Sequence, residues 1–415
     1  MENLESKVPR FYDIFSSEID KRNHIHQTFK KIANKYGYQE IKTTKIELKQ
    51  RYLNGTDVHH SKIFEVHRVK ENTKYVLQAD LAMSMSRFVS DLATRTPLKL
   101  LQTATMYRDR PSNLPGFRRE FEQTLIGAWD ISSLHVDSEI ISITWKGIAS
   151  LDGIIPDYIL LSNHHIFDVL KVGLAKNIRF SEKGIEILDD IPMENNDRLL
   201  LKKLFSIDRI TISELKKIMK NFYNKNIQSE IQKIIDINFG INKFSSGAPV
   251  YFSLKNLSGT GHYTGLNYKI FIKKNLCDES FDVVDGGRIN DLCYRINKNN
   301  IPAICMGIGT TVLSQLISIE DNKIKIAVLL DTHVEIHMIV KEVNKLKSKI
   351  ENLEVSIIPL NNKKWRNIFK SKFYDDYNYI LIHGNNVKLR VKNQIVKNHL
   401  IDFEKDLIKN VLDNN

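Results

Sequence analysis

Apolar residues recur along the chain in two rhythms, and these mark out its elements. Ile25, Phe29, Ile32, Ala33 and Tyr36 fall three and four apart, which predicts a helix that Ser17 can cap and Gly37 can end. A strand, Gln39 to Glu47, follows. Tyr75 to Leu77 reads as a short strand, and Met85, Phe88, Val89 and Leu92 form the apolar face of the next helix. Asp80 thus stands where a strand hands over to a helix. From Leu98 to Trp129 the pattern is strand, long loop, strand, with Arg108, Asp109, Arg110 and Pro111 leading in and Arg118 to Gln123 leading out. A helix starting at Ser132 or Ser133 carries Ile140, Ile141, Trp145 and Ile148, and Tyr158 to Leu161 is a further strand.

Residues 177–242 change character: short, Lys-, Asn- and Ile-rich segments with helical spacing and no strand of any length, read as a helical insertion. Strand patterns resume at Val250 to Leu254, in the alternating run Leu266 to Lys273, at Phe281 to Val284 and around Pro302 to Met306. Strands joined by hairpin-like loops, with helices between some of them, predict an α/β (α+β) chain built on an antiparallel sheet flanked by helices. Beyond Asn322 the order becomes strand (Ile326 to Leu330), helix (Ile339, Val343, Leu346, Ile350), strand (Val355 to Leu360), helix, strand (Tyr379 to Ile382). That is a small α/β unit with mostly parallel pairing. Two domains are expected, 1–320 and 323–415.

With 415 residues, 42% hydrophobic and 27% charged, the chain has the composition of a globular protein of two or three domains. A net charge of +12 permits an acidic partner, but the excess is lysine scattered through an Asn- and Ile-rich background, which reads as solvated surface. The cysteines, Cys277, Cys293 and Cys305, are odd in number and lack Cys-x-x-Cys spacing. Neither a disulfide framework nor a thiolate zinc site is expected, and a reducing, cytoplasmic setting follows. The first residues lack the basic start and apolar core of a signal peptide, and no run of about 18 apolar residues occurs, so no membrane association is expected.

The stretch most suggestive of chemistry is Ser258-Gly259-Thr260-Gly261-His262-Tyr263-Thr264-Gly265, a glycine-rich loop feeding the alternating strand. It reads as the mouth of a small-molecule pocket. Neither a phosphate loop nor a dinucleotide fingerprint occurs. His333 and His337 are four apart, but Val334 stands where a zincin needs glutamate. The pairs His59-His60 and His164-His165 would point to opposite faces of an extended chain. No metal site and no cofactor are expected. Arg108, Arg110, Arg118 and Arg119 suit an anionic ligand, because guanidinium groups grip phosphate and carboxylate bidentately, and suit equally a solvated or interface hairpin.

Taken in order, these segments resemble the histidyl-tRNA synthetase family of class II aminoacyl-tRNA synthetases over most of the chain. Gly37 to Thr44 is similar to the family's first motif, which lies at the dimer interface, and Met106 to Gln123 to its second. Asp285-Gly286-Gly287-Arg288-Ile289-Asn290-Asp291-Leu292 is similar to the Gly-Gly-Arg-Tyr-Asp signature, the glycine-rich stretch to the histidine-binding loop, and Met306 to Leu313 to the third motif. The departures fall on catalytic groups. Ser258 stands where the loop has an arginine, Gly309-Thr310-Thr311 lacks the third-motif cation, and Asp80-Leu81-Ala82 replaces Glu-x-Thr. Gly127 replaces a glutamate, and Thr44 a proline. What the resemblance leaves is a histidine pocket of Asp80, Gln123, Ser258, His262 and Tyr263, with Arg108 and Arg119 as anion-binding candidates.

A site that keeps amino-acid recognition and loses ATP activation resembles the synthetase-like regulatory subunit of ATP phosphoribosyltransferase, in the first step of histidine biosynthesis. That resemblance implies no catalysis by this chain, a hetero-oligomer with the short-form catalytic subunit built on a synthetase-like dimer, and histidine as feedback effector. The C-terminal unit then looks like a diverged anticodon-binding domain. Two rivals go with the same residues: a divergent histidyl-tRNA synthetase that uses Arg108, Arg118 or Arg119 in place of the missing arginines, and a paralogue that holds RNA through its basic C-terminal unit. An RNA partner is the less expected of these.

Overall fold

The computed structural model describes residues 8–56, 58–67, 73–92, 95–109, 118–169, 187–245, 247–255, 263–274, 279–319, 323–330, 336–359, 377, 379–383, 388–391 and 394–396. The chain divides into two compact units, Met1–Ile319 and Glu320–Asn415.

The first unit is organised on a nine-stranded sheet. Its strands are β1 (Gln39–Glu40), β5 (Leu98–Tyr107), β6 (Glu120–Trp129), β7 (Ile154–Asn163), β8 (Ile210–Thr211), β9 (Val250–Phe252), β10 (Leu266–Lys274), β11 (Ser280–Arg288) and β12 (Ala303–Ile308). A separate three-stranded sheet holds β2 (Ile46–Leu48), β3 (Glu65–Val66) and β4 (Tyr75–Leu77). The large sheet has the order β1-β5-β6-β12-β11-β10-β7-β9-β8. It is antiparallel from β5 through β7, as the hairpin pattern predicts, but β1 pairs with β5 and β9 with β7 in parallel. The sheet is therefore mixed, because the segments returning to its flanks come back through helices rather than hairpins.

Side-chain alternation gives this sheet two apolar faces. Phe121, Leu125, Trp129, Ala303 and Cys305 join one cluster with Tyr52 of helix α2 (Lys49–Gly55) and Leu81, Met83 and Met85 of helix α3 (Leu81–Asp91). Their strand neighbours Ile126, Ala128, Ile304, Met306 and Ile308 join the other, with α1 (Ser16–Asn34) and α4 (Leu134–Ala149). Phe15 rather than Ser17 precedes the first turn of α1, and Gly37 takes the positive φ of 83° expected after its end. The single strand expected from Gln39 to Glu47 is instead two short strands, β1 and β2, which belong to different sheets.

The insertion is helical at 195–206, 212–219 and 225–244, and it shares the main core. Ile227, Ile231, Ile234, Ile237 and Ile241, spaced to fall on one helix face, pack in the cluster that holds Ile140 and Ile141. The segment also supplies an edge strand, since Ile210 and Thr211 pair with β9.

The second unit has β13 (Ile324–Leu330) between β14 (Leu353–Pro359) and β15 (Tyr379–His383), both parallel to it. β16 (Lys388–Val391) and β17 (Gln394–Val396) extend the sheet antiparallel. Ile339, Val343 and Ile350, from or just beyond helix 336–349, are buried with Ile326, Val328 and Leu330. Among the described residues no helix is long and apolar enough to cross a membrane.

Candidate functional site

Asp80 precedes α3 in extended conformation, and its Oδ1 accepts the backbone amides of Ala82 (2.9 Å) and Met83 (3.4 Å). This is an N-cap, which puts a carboxylate at the positive end of the helix. The buried Tyr52 hydroxyl accepts the amides of Ala79 (2.7 Å) and Asp80 (2.6 Å) and so fixes the turn that presents Asp80. Arg108 reinforces it: Nε (3.1 Å) and Nη2 (2.5 Å) both donate to the Ala79 carbonyl, with the guanidinium 5.8 Å from the Phe121 ring centroid.

Gln123 lies on β6 between Phe121 and Leu125, on the face that α3 covers. A Cβ on Gly307 would stand 2.2 Å from its Nε2, so glycine there is the seat of the amide. In the same way a Cβ on Gly287 would meet Tyr263 Cδ1 at 2.6 Å. Glycines in β11 and β12 thus allow Tyr263 and Gln123 to lie down on the sheet. Burial, then the carboxylate of Asp285 and the thiol of Cys305, raise the Tyr263 hydroxyl well above the usual phenol range, and the hydroxyl hydrogen-bonds to Asp285. Burial, with Asp80 and Asp285 near, keeps the Cys305 thiol protonated. Asp80, Asp285 and Tyr263 thus lie within electrostatic reach of Cys305, which packs with Tyr263 on the α3 side of the sheet.

Of the residues singled out by sequence, Asp80 and Tyr263 both lie near Cys305, and Gln123 lies on the same face at Gly307. Ser258, His262 and Arg110 lie outside the described residues, as does His333. The other arginines are engaged elsewhere. Arg118 donates to both oxygens of Glu18 (2.9 and 3.3 Å) and lies 5.2 Å from the Tyr12 ring centroid. Arg119 donates to Asp109 (2.7 Å) and the Pro9 carbonyl (3.2 Å). Burial works against ionisation of Glu18, yet Arg22 and Arg118 hold its carboxyl below the usual range. Gly127 could not carry a glutamate as it stands, because a Cβ there would be 2.5 Å from the Trp129 ring.

The third-motif stretch is neutral and closed. No lysine or arginine occurs from Met306 to Leu313. Thr310 and Thr311 are 0% and 1% exposed. Thr310 Oγ1 lies 2.9 Å from Thr124 Oγ1, and Thr311 Oγ1 accepts the Glu122 amide at 2.7 Å.

The paired histidines depart from expectation. His59 and His60 do not point apart, since a 3-10 turn at 60–62 stacks their rings 4.4 Å apart. His164 follows β7 with its ring 6.5 Å from that of Tyr263, and His165 lies against Gly265, so this pair borders the site. Asp285 and Asn267 were not singled out by sequence. The signal for both was register: Asn267 pairs with Gly287, and Asp285 with Gly307, the two glycines that seat Tyr263 and Gln123.

Residues 10–312 match the family model described as histidyl-tRNA synthetase. The histidine–tRNA ligase of Sulfurisphaera tokodaii is 24% identical over 426 residues, covering 95% of this chain and 97% of the relative. That of Mycoplasma capricolum subsp. capricolum is 25% identical over 424 residues, with 95% and 98% covered. Among solved structures, an ATP phosphoribosyltransferase regulatory subunit/histidyl-tRNA synthetase from Bacillus halodurans aligns with a TM-score of 0.73 at 16% identity, covering 92% of this chain and 99% of that one. Histidyl-tRNA synthetase from Nostoc sp. PCC 7120 aligns with a TM-score of 0.64 at 14% identity, covering 98% and 100%. Those structural likenesses speak for the fold, and the family model for kinship: the chain belongs to the histidyl-tRNA synthetase family and has its class II synthetase-like fold.

Proposed function

We propose that this protein is a non-catalytic regulatory subunit of ATP phosphoribosyltransferase, required for the first step of histidine biosynthesis, that takes part in its feedback inhibition by histidine. The observation that carries the reading is the neutral stretch Met306 to Leu313, with the Thr310 and Thr311 hydroxyls already committed to Thr124 and Glu122. Adenylate formation needs cations where phosphate charge develops, and Ser258 removes a second one. Losing two such groups costs on the order of several kcal/mol of transition-state stabilisation, enough to end useful turnover. Asp80, Gln123 and Tyr263 remain to hold histidine as effector, with Asp80 facing its α-ammonium group. The partner is the short-form catalytic subunit, the protein itself is a dimer, and the setting is cytoplasmic. The name of the Bacillus halodurans neighbour, which couples both roles, supports this reading.

A second reading has its own support: the curated relatives named above are histidine–tRNA ligases, and Arg108 lies beside Asp80 on the Ala79 carbonyl. The chain would then be a divergent synthetase. Histidine-dependent ATP–pyrophosphate exchange separates the two. No exchange above background from the pure protein is expected; exchange at the rate of a histidine–tRNA ligase control overturns the regulatory reading.

A further inference from the structure

We infer that Asp285 is the second carboxylate of the histidine pocket, and that together with Asn267 it selects histidine with the imidazole ring protonated. This rests on the reading that the pocket takes histidine.

Asp285 hydrogen-bonds to the Tyr263 hydroxyl and, with Asp80, acts on the Cys305 thiol. Its cross-strand partner is Gly307, the glycine on which the Gln123 amide lies. On the same face, Asn267 stands opposite Gly287, the glycine under Tyr263. Asn267 is 1% exposed, and its side-chain oxygen accepts no hydrogen bond among the described residues. A buried acceptor beside the pocket calls for a donor. Asp80, Asp285 and Asn267 Oδ1 are all acceptors. Neutral imidazole brings one N–H, whereas imidazolium brings two and a positive charge. Asp80 takes the α-ammonium group, and Asp285 with Asn267 takes the two ring N–H groups.

The other ionisable groups around Asp285 leave this assignment standing. Tyr263, Tyr268 and Cys305 stay neutral, since burial raises all three. Lys269, opposite Asp285 on β10, is bound to Asp282 at 2.7 Å, and Arg108 to the Ala79 carbonyl. The His164 ring centroid lies 6.5 Å from that of Tyr263.

Calorimetric titration of the full-length protein with L-histidine, in two buffers of different ionisation enthalpy, reads the proton directly. Wild type should take up roughly 0.5 to 1 proton per histidine near pH 7.5, with affinity falling about tenfold or more from pH 6 to pH 8, because the bound ring's pKa is raised. Asp285→Asn, nearly isosteric, should bind at least about tenfold more weakly at pH 6 with no proton uptake. Asp285→Glu keeps the carboxylate and should keep the proton uptake even at weaker affinity, so a misfolded Asp285→Asn leaves the test intact. Binding without proton uptake in wild type, or uptake unchanged in Asp285→Asn, overturns the assignment. No histidine heat from wild type at any pH overturns the pocket reading itself, and this assignment with it.

Discussion

The Oγ1 atoms of Thr124 and Thr310 lie 2.9 Å apart, and Thr103 Oγ1 is 2.7 Å from Thr124 on its other side. The three hydroxyls run from β5 through β6 to the helix at 310–316, at the place where a synthetase of this family would expose a cation. Such a chain satisfies buried polar groups internally, and cutting it strands its neighbour. Thr310→Val should lower unfolding stability by about 1–2 kcal/mol, read by urea denaturation at constant m-value. A change within error would mean that the hydroxyls are not coupled.

Asp80 has two tasks that two substitutions separate. Asp80→Ala removes the cap and the charge, and should cost about 1 kcal/mol of stability together with histidine binding. Asp80→Asn keeps a good capping oxygen and should cost only a few tenths of a kcal/mol while still abolishing binding. Equal histidine affinity in wild type and both variants, measured by calorimetry, would place the effector elsewhere.

Asp137 and Arg288 form a buried ion pair behind β11, where Arg288 also donates to the carbonyls of Ile131 (2.6 Å) and Ser133 (3.1 Å). Burial outweighs Arg288 and pushes the Asp137 carboxyl up from 3.8 to about 6. Between those values the folded state holds more protons than the unfolded one, so this group's stability contribution falls as pH rises through the window and is level above it. The drop is about 3 kcal/mol at most, and Asp137→Asn should flatten the profile. Asp137→Ala leaves Arg288 buried without its carboxylate and should cost about 3–5 kcal/mol. Thermal melts from pH 4 to pH 7 distinguish these outcomes.

Tyr12 and Phe15, just ahead of α1, and Ile19 in its first turn make a sequence row of exposed apolar side chains, with Phe15 66% exposed. Such a row suits burial against a second copy, as the proposed dimer requires. Phe15→Glu combined with Ile19→Glu should give a monomer by light scattering at concentrations where wild type is a dimer. A variant that stays dimeric would locate the interface elsewhere.

Much of this site was legible because its grammar is local. Asp80 sits between an apolar strand and an apolar helix face, and an N-cap carboxylate belongs there. Gln123 falls in an alternating strand, so its face follows from that of Phe121 and Leu125. Asp285 and Asn267 escaped because their meaning is non-local: only the pairing of β10, β11 and β12 sets them beside Tyr263 and Gln123. The adjacent histidines misled for a related reason, since opposite faces follow only if the chain stays extended, and at His60 it turns. Spacing left the arginines undecided between ligand and structure, whereas their partners, Glu18 and Asp109, lie about 100 and 10 residues away in sequence. The parallel pairings at the sheet's flanks were equally hidden, because hydrophobic alternation gives a strand its faces without naming its neighbour.

In the proposed role this chain activates a partner rather than a substrate. The most direct test measures ATP phosphoribosyltransferase activity of a short-form catalytic subunit alone, of this protein alone, and of the two mixed, with and without histidine. Activity is expected in the mixture only, inhibited by histidine and restored when Asp80→Asn replaces wild type. Full activity of the catalytic subunit alone, unchanged by adding this protein, would contradict that role.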